Sequence, residues 1–510
     1  MIITDPADYG LPYTEWRAGQ RLAIRTAVHS KTRHTVIQSP TGSGKSTIAA
    51  MIMRLEAGRT ITLTATKGLE DQYSGVFPWM FDIRGMGNYV CLAAKDQFKK
   101  TFQYRRGDIM CDEGPCKSGR TCTLKENGCT YFDAYRSALA SQQLLTNYSY
   151  FLAMRRFGRG LGPARTLVLD EAHALPEELM SACRIEIPVG LLDGNPPSTH
   201  KGWREWSAQM THELRPQDEK EDVRQRRTKL LDALAQLGRI DESWAWDVVS
   251  DTVVFEPTIP RLLFPALADD ATCDALVYLS ATITPATLKL LDIRPQDVTF
   301  QVMSSRFPVK RRPIYLVDTV RVDHKMSGDG VQFWINRLDK IIGNRLDRKG
   351  IIHTVSYGRM WDILKASKHR GIMIAPRSAS ELAATVERFR RMRAPAILIS
   401  PSVMTGWDFP YTDCEYQILV KVPFPDTRSN IAKARIAATE GYREHLTMQS
   451  IVQAAGRGMR ADDDQCETFI IDNHAKWFLP VARDRGLSPL WFSEAIVHVK
   501  APPPPPTPLT

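Results

Sequence analysis

Short apolar runs divided by polar and glycine-containing turns recur along the chain, and two of them end in clusters that carry chemistry. Thr35-Val-Ile-Gln38 is a β-prone run that leads into Ser39-Pro-Thr-Gly-Ser-Gly-Lys-Ser46, and the following Thr47-Ile-Ala-Ala-Met-Ile-Met reads as helix. The predicted order is strand, glycine loop, helix. Thr166-Leu-Val-Leu169 is a continuous apolar run of the kind buried on both faces of a parallel sheet, and it stops at Asp170-Glu171-Ala172-His173. Residues 204–237 have helical spacing and dense charge, with 10 acidic and 9 basic residues across 201–250, which predicts a solvated helical pair. Ser304-Ser-Arg-Phe-Pro308 is polar and proline-interrupted, as a linker should be. Ala501 opens a tail with five consecutive prolines, expected to remain an unpacked, disordered polyproline II segment. No apolar run approaches the roughly 18–20 residues of a membrane span. The opening MIITDPADYG lacks the basic and apolar regions of a secretory leader, so the expected location is the cytoplasm.

Composition narrows the class only modestly. At roughly 150 residues per domain, 510 residues predict two to four domains. A hydrophobic fraction of 43% with 24% charged residues excludes a disordered or collagenous chain. The net charge of +10 is mild, but it is unevenly spread: residues 301–400 hold 20 Lys and Arg against 8 Asp and Glu, a local excess of +12. That block is the expected place for contacts to a polyanion.

Cysteine placement says more. Five of the nine cysteines, Cys91, Cys111, Cys116, Cys122 and Cys129, fall within 39 residues at intervals C-x19-C-x4-C-x5-C-x6-C. In a reducing compartment such a cluster reads as a metal site. The spacing alone leaves zinc and an iron–sulfur cluster level.

The glycine loop has the composition of a phosphate cradle, in which backbone N–H groups close on phosphate oxygens and the helix N-terminus adds positive potential. Thr41, Gly42, Ser43, Gly44 and Thr47 form its walls, Lys45 reaches the terminal phosphates and Ser46 is placed to hold Mg2+. Ser39 stands where glycine is usual. Carboxylates at a strand's C-terminal end point into the ligand crevice of an α/β sheet. Asp170 is expected to orient Mg2+, and Glu171 to polarise the water that attacks a γ-phosphate. Gln453-Ala-Ala-Gly-Arg457-Gly-Met-Arg460 sets two arginines one helical turn apart, suited by fork geometry to phosphate charge.

In chain order stand SPTGSGKST, TATKGLEDQ, DEAH, LSATI, KGIIHTVSY, TGWDF and QAAGRGMR. The series resembles a superfamily 2 helicase, and specifically the XPD/DinG branch, across nearly the whole chain. The branch rests on the cysteine cluster lying between the phosphate loop and DEAH, on Gly87-Asn-Tyr-Val-Cys91 and Cys129-Thr-Tyr-Phe, and on Ser305-Arg-Phe-Pro and Lys421-Val-Pro-Phe-Pro.

The resemblance implies an α/β fold of two RecA-like lobes, with an iron–sulfur insertion and a short helical arch insertion in lobe one. The expected divisions are lobe one 1–295, cluster insertion 88–132, arch 177–245, lobe two 300–498 and tail 499–510. By the same resemblance Gln20 reads adenine, Arg457 and Arg460 act as arginine fingers and Gln453 works beside them. His173, Ser280, Thr282, Thr405, Gly406 and Asp408 couple nucleotide state to the grip on DNA. Cys91 and Cys129 hold a 4Fe-4S cluster with two of the middle three cysteines; Cys116 and Cys122 are the preferred pair, and Cys111 the contender. The expected protein is a monomeric ATP-dependent DNA helicase moving 5′ to 3′ on single strands and unwinding forked or tailed duplexes. A DEAH-type RNA helicase and a non-catalytic nucleic-acid scaffold are the alternatives.

Overall fold

The computed structural model describes residues 2–96, 107–118, 120–192, 194, 196–214, 221–269, 273–404, 407, 409, 411–459 and 464–505. Along the first half run strands β1 (His34–Gln38), β2 (Thr60–Thr64), β3 (Phe81–Asp82), β4 (Gln143–Asn147), β5 (Ala164–Asp170), β6 (Ile185–Pro188), β7 (Trp244–Val249), β8 (Thr252–Pro257), β9 (Cys273–Ser280) and β10 (Val298–Val302). Seven of them form one parallel sheet in the order β10-β1-β9-β5-β2-β4-β3. Parallel strands covered by helices on both faces must be apolar throughout, which is why Val36, Ile37, Val168 and Leu169 are all fully buried.

The second half adds β11 (Ile314–Val317), β12 (Lys349–His353), β13 (Met373–Ile374), β14 (Ala396–Ser400), β15 (Tyr416–Leu419), β16 (Glu467–Ile470) and β17 (Ile496–Val499). They form a second parallel sheet, β13-β14-β12-β15-β16-β11-β17. The fold is two RecA-like α/β lobes, as expected from the motif series. Among the described residues no helix is long and apolar enough to cross a membrane.

Three expectations change. Strand β10 pairs in parallel with β1, from His34 opposite Val298 to Gln38 opposite Val302. The first sheet therefore reaches Val302, past the expected limit of 295 and past the expected start of lobe two at 300. The region expected as a helical insertion also holds an antiparallel sheet, β6-β8-β7, that runs on to Pro257. The helices His200–Glu213 and Glu221–Leu237 cover it, with Trp203 fully buried edge-on against Phe255 at 4.8 Å. Charge density marked those helices as solvated, but one face carries a core of its own.

The proline tail is the third. Val499 closes β17 beside β11, Pro502 is buried, and the Pro503 carbonyl accepts from Arg345 Nη2 at 3.3 Å. The start of the tail thus packs through Val499, Pro502 and Pro503, because proline keeps its carbonyl as an acceptor even though it has no N–H. Residues 506–510 lie outside the described set.

Candidate active site

The phosphate loop joins β1 to the helix Lys45–Leu55. Gly42 and Gly44 have φ of 76° and 80°, a conformation that side chains resist. A Cβ on Gly44 would stand 2.4 Å from Gln20 Nε2, so glycine there also admits Gln20. Gln20 donates to the Ser43 carbonyl at 2.9 Å, and its own oxygen accepts from the Arg17 N–H at 2.9 Å. Ser39, the departure from the usual glycine, has a structural use. Its hydroxyl lies 2.5 Å from that of Ser43, which donates to the Pro40 carbonyl at 2.6 Å, and this chain braces the loop from within.

Strand β5 delivers Asp170 and Glu171 opposite the loop. Lys45 Nζ is 3.2 Å from Glu171 Oε1, and His173 Nδ1 is 3.3 Å from Glu171 Oε2. Glu171 has φ of 51°, an unfavourable conformation for a residue with a Cβ, and such strain persists only where the surroundings hold it. Burial, followed by the neighbouring Glu171 charge, pushes Asp170 up to about 6. Burial alone would raise Glu171 as well, but the Lys45 ammonium and the His173 imidazole together hold it well below the usual carboxylate range. Glu171 is the more acidic carboxylate of the pair.

Across from these groups lies lobe two. A cleft of about 710 Å³ is lined by Lys45, Ser46, Asp170 and Glu171 on one side and by Gln453 and Arg457 on the other. Gln20, Thr41, Gly42, Gly44, Thr47, His173 and Thr282 also line it, whereas Ser43 is buried beneath the loop. Ser280 sits one layer back, its hydroxyl 2.9 Å from His173 Nδ1. Arg457 donates to the carbonyls of Met404 at 3.1 Å and Trp407 at 2.7 Å, so its guanidinium is anchored to the segment after β14. Arg460, Thr405, Gly406 and Asp408 lie outside the described residues. The hydroxyl of Ser46 and the carboxylate of Asp170 share the cleft with Lys45, a hard-oxygen donor set that fits Mg2+ beside a phosphate.

Several residues here carry no motif signal. Trp491 donates its indole N–H to the Ala281 carbonyl at 3.0 Å, and Gln449 donates to the Thr282 carbonyl at 2.9 Å, both across the lobes. Tyr73 donates to Asp170 Oδ2 at 2.9 Å. Its only sequence cue is its place directly after Gln72 of the TATKGLEDQ segment.

All five clustered cysteines line one cavity of about 10 Å³. Cys111, the contender for a middle ligand place, is buried beside Cys91. An antiparallel bridge of Val90 with Met110 holds the two strands, with Cys91 N–H donating to Ile109 at 2.7 Å and Cys111 N–H to Tyr89 at 2.8 Å. Among the described residues no three or more His, Cys, Asp or Glu side chains stand in a metal-holding arrangement. The thiols nonetheless form a soft donor set on one pocket wall, which suits zinc or iron–sulfur chemistry.

The basic block of residues 301–400 is less available than its composition implies. Arg312, Arg345 and Lys349 are buried and paired with Glu494, Glu467 and Asp413.

A two-lobed sheet architecture with a phosphate loop, strand-end carboxylates and an interlobe cleft defines the helicase class of nucleotide-binding fold. The helicase C-terminal domain family matches residues 344–478. A solved XPD helicase aligns over 98% of this chain and 100% of its own length, at 14% identity and a TM-score of 0.63. Xpd4 of S. tokodaii aligns over 95% of this chain and 100% of its own, at 14% and 0.57, and an apo XPD over the same shares at 12% and 0.56. No curated protein sequence matches significantly. The chain has the fold of these XPD helicases.

Proposed function

We propose that this protein is an ATP-dependent DNA helicase that hydrolyses ATP on single-stranded DNA and moves 5′ to 3′ to open tailed or forked duplexes. The observation that carries the reading is the single cleft in which the Lys45–Glu171 ion pair faces Gln453 and Arg457 of the other lobe. ATP fits between them by charge and by size. Lys45 and the loop amides bind its phosphates, Ser46 and Asp170 would hold Mg2+, and Glu171 accepts the proton of the attacking water. Bound Mg2+ supplies neutralisation of phosphate charge. Gln453 and Arg457 approach from lobe two, so that nucleotide binding draws the lobes together and hydrolysis lets them part. DNA lying across both lobes is then advanced once per cycle. The cysteine cluster between the phosphate loop and DEAH, which resembles the XPD/DinG branch, favours DNA over RNA.

The cysteine pocket is proposed to hold a 4Fe-4S cluster through Cys91 and Cys129 with two of Cys111, Cys116 and Cys122. When bound, such a group supplies a rigid covalent tie for a segment with little apolar content of its own. Iron and acid-labile sulfide in anaerobically purified protein support this; zinc without iron overturns it. For the motor, ATPase is expected to rise with single-stranded DNA more than with RNA, and unwinding to need a 5′ tail. A rate indifferent to either polymer removes the helicase reading, and a preference for RNA moves it to the RNA helicases.

A further inference from the structure

Asp170 is held by three donors from three elements. Tyr73, on the helix Lys67–Val76, donates to Oδ2 at 2.9 Å; the Glu171 N–H donates to Oδ1 at 2.9 Å; and Tyr148 donates to the Asp170 carbonyl at 3.0 Å. Both carboxylate oxygens are therefore engaged inside the protein, and the plane of the carboxylate is set before any ligand arrives. Tyr73 is 1% exposed and packs at 6.0 Å against Phe77, so its ring has no freedom to deliver the hydroxyl elsewhere. The same helix opens at the cleft, where Thr66, Gly68, Leu69 and Gln72 line the wall. A shift of this helix must move the Tyr73 hydroxyl, and with it the orientation of Asp170.

We propose that Tyr73 is a positioning residue for magnesium. Its hydroxyl fixes the rotation of the Asp170 carboxylate toward the ion of the bound nucleotide, and it ties that ion's affinity to the position of the helix Lys67–Val76. Groups that orient a metal-binding carboxylate from behind change metal affinity about 10- to 100-fold when removed. The inference rests on the nucleotide site proposed above.

The test uses the full chain with Tyr73→Phe, which keeps the buried ring and removes one oxygen. Binding of a fluorescent non-hydrolysable ATP analogue is followed while Mg2+ is titrated. The expected result is about a 10-fold higher Mg2+ concentration at half-saturation, with unchanged analogue binding in chelator and a thermal melt close to wild type. ATPase lost at low Mg2+ should return at high Mg2+, which a general loss of packing would not allow. In a double-mutant cycle with Asp170→Asn, the Tyr73 effect should shrink, because the oxygen it orients no longer binds the ion in the same way. A Tyr73→Phe protein with the wild-type Mg2+ requirement, or one whose effect adds fully to that of Asp170→Asn, overturns the positioning role. Wild-type protein that binds the analogue without regard to Mg2+ overturns the magnesium site itself and this role with it.

Discussion

Gln453 of the second lobe donates its side-chain amide to Nε2 of His173 in the first, joining residues 280 positions apart. Nδ1 of the same ring stands 2.9 Å from Ser280 Oγ. The Ser280 hydroxyl oxygen also takes the N–H groups of Thr282 and Ile283 at 3.0 and 3.2 Å. The DEAH histidine thus joins Glu171, the turn after β9 and the opposite lobe.

Replacing His173 or Gln453 by Ala should leave nucleotide binding intact and reduce stimulation of ATPase by single-stranded DNA. The two losses should fall short of additive in a double-mutant cycle, since either change breaks the same bridge. Full additivity in stimulated rates would mean that the contact carries no coupling.

Glu171→Gln removes the charge that Lys45 and His173 hold ionised. The turnover rate should fall about 100-fold or more, the usual effect of losing a group that takes the proton of the attacking water. Nucleotide affinity should change far less. Lys45→Ala should instead weaken binding of ATP, and parallel binding and steady-state measurements separate the two.

The three-stranded sheet of the first half is latched onto lobe two. Arg435 pairs with Glu177 at 3.0 Å and Glu256 at 2.8 Å, Tyr442 donates to Glu177, and Asp247 accepts from Ser429, Asn430 and Ile431 at the start of the helix Asn430–Ala438. Arg435→Ala leaves Glu177 without its cation and Glu256 with Arg184 alone, a loss on the order of 1 kcal/mol. Asp247→Ala removes a carboxylate from a helix N-terminus, at about 1 kcal/mol. Small-angle scattering should then show lobes that separate more readily without nucleotide; unchanged scattering from the double variant would argue against a latch.

Burial pushes Glu70 up to about 7. Glu70 Oε1 and Asp82 Oδ1 are both buried without a donor, and a proton kept on Glu70 supplies one. The folded state then holds a proton that the unfolded chain releases at about pH 4.3. Stability from this group is present below that pH and is lost as pH rises through about 7. Glu70→Gln mimics the protonated form at every pH. Wild type should therefore lose stability relative to the variant between pH 5 and 8, by an amount on the order of 2 kcal/mol. A constant difference between their denaturation curves would show that Glu70 is ionised throughout.

Much of the site was legible because its signals are local. Gly42 and Gly44 are needed for a loop that closes within a few residues, Lys45 and Ser46 follow it on the first helical turn, and Asp170 and Glu171 follow an apolar strand by one step. Backbone conformation and the alternation of apolar and polar positions act over such distances. The order of the motifs likewise pointed to two RecA-like lobes.

Local patterns along the chain carry the identity of these groups and the order in which two sheets are built. Which of them meet depends on how the folded chain brings distant positions together. Tyr73 reaches Asp170 from 97 positions away, Arg435 reaches Glu177 from 258, and the Pro503 carbonyl finds Arg345 across 158. Cys111 joins the other four cysteines because a strand bridge brings Met110 to Val90, a pairing that interval counting does not encode. Nor does spacing reveal that β10 returns to β1, or that charged helices hide a tryptophan core. Side-chain partnerships of this kind depend on sheet order and on the packing of helices against both faces, and those are settled only when the whole chain has closed.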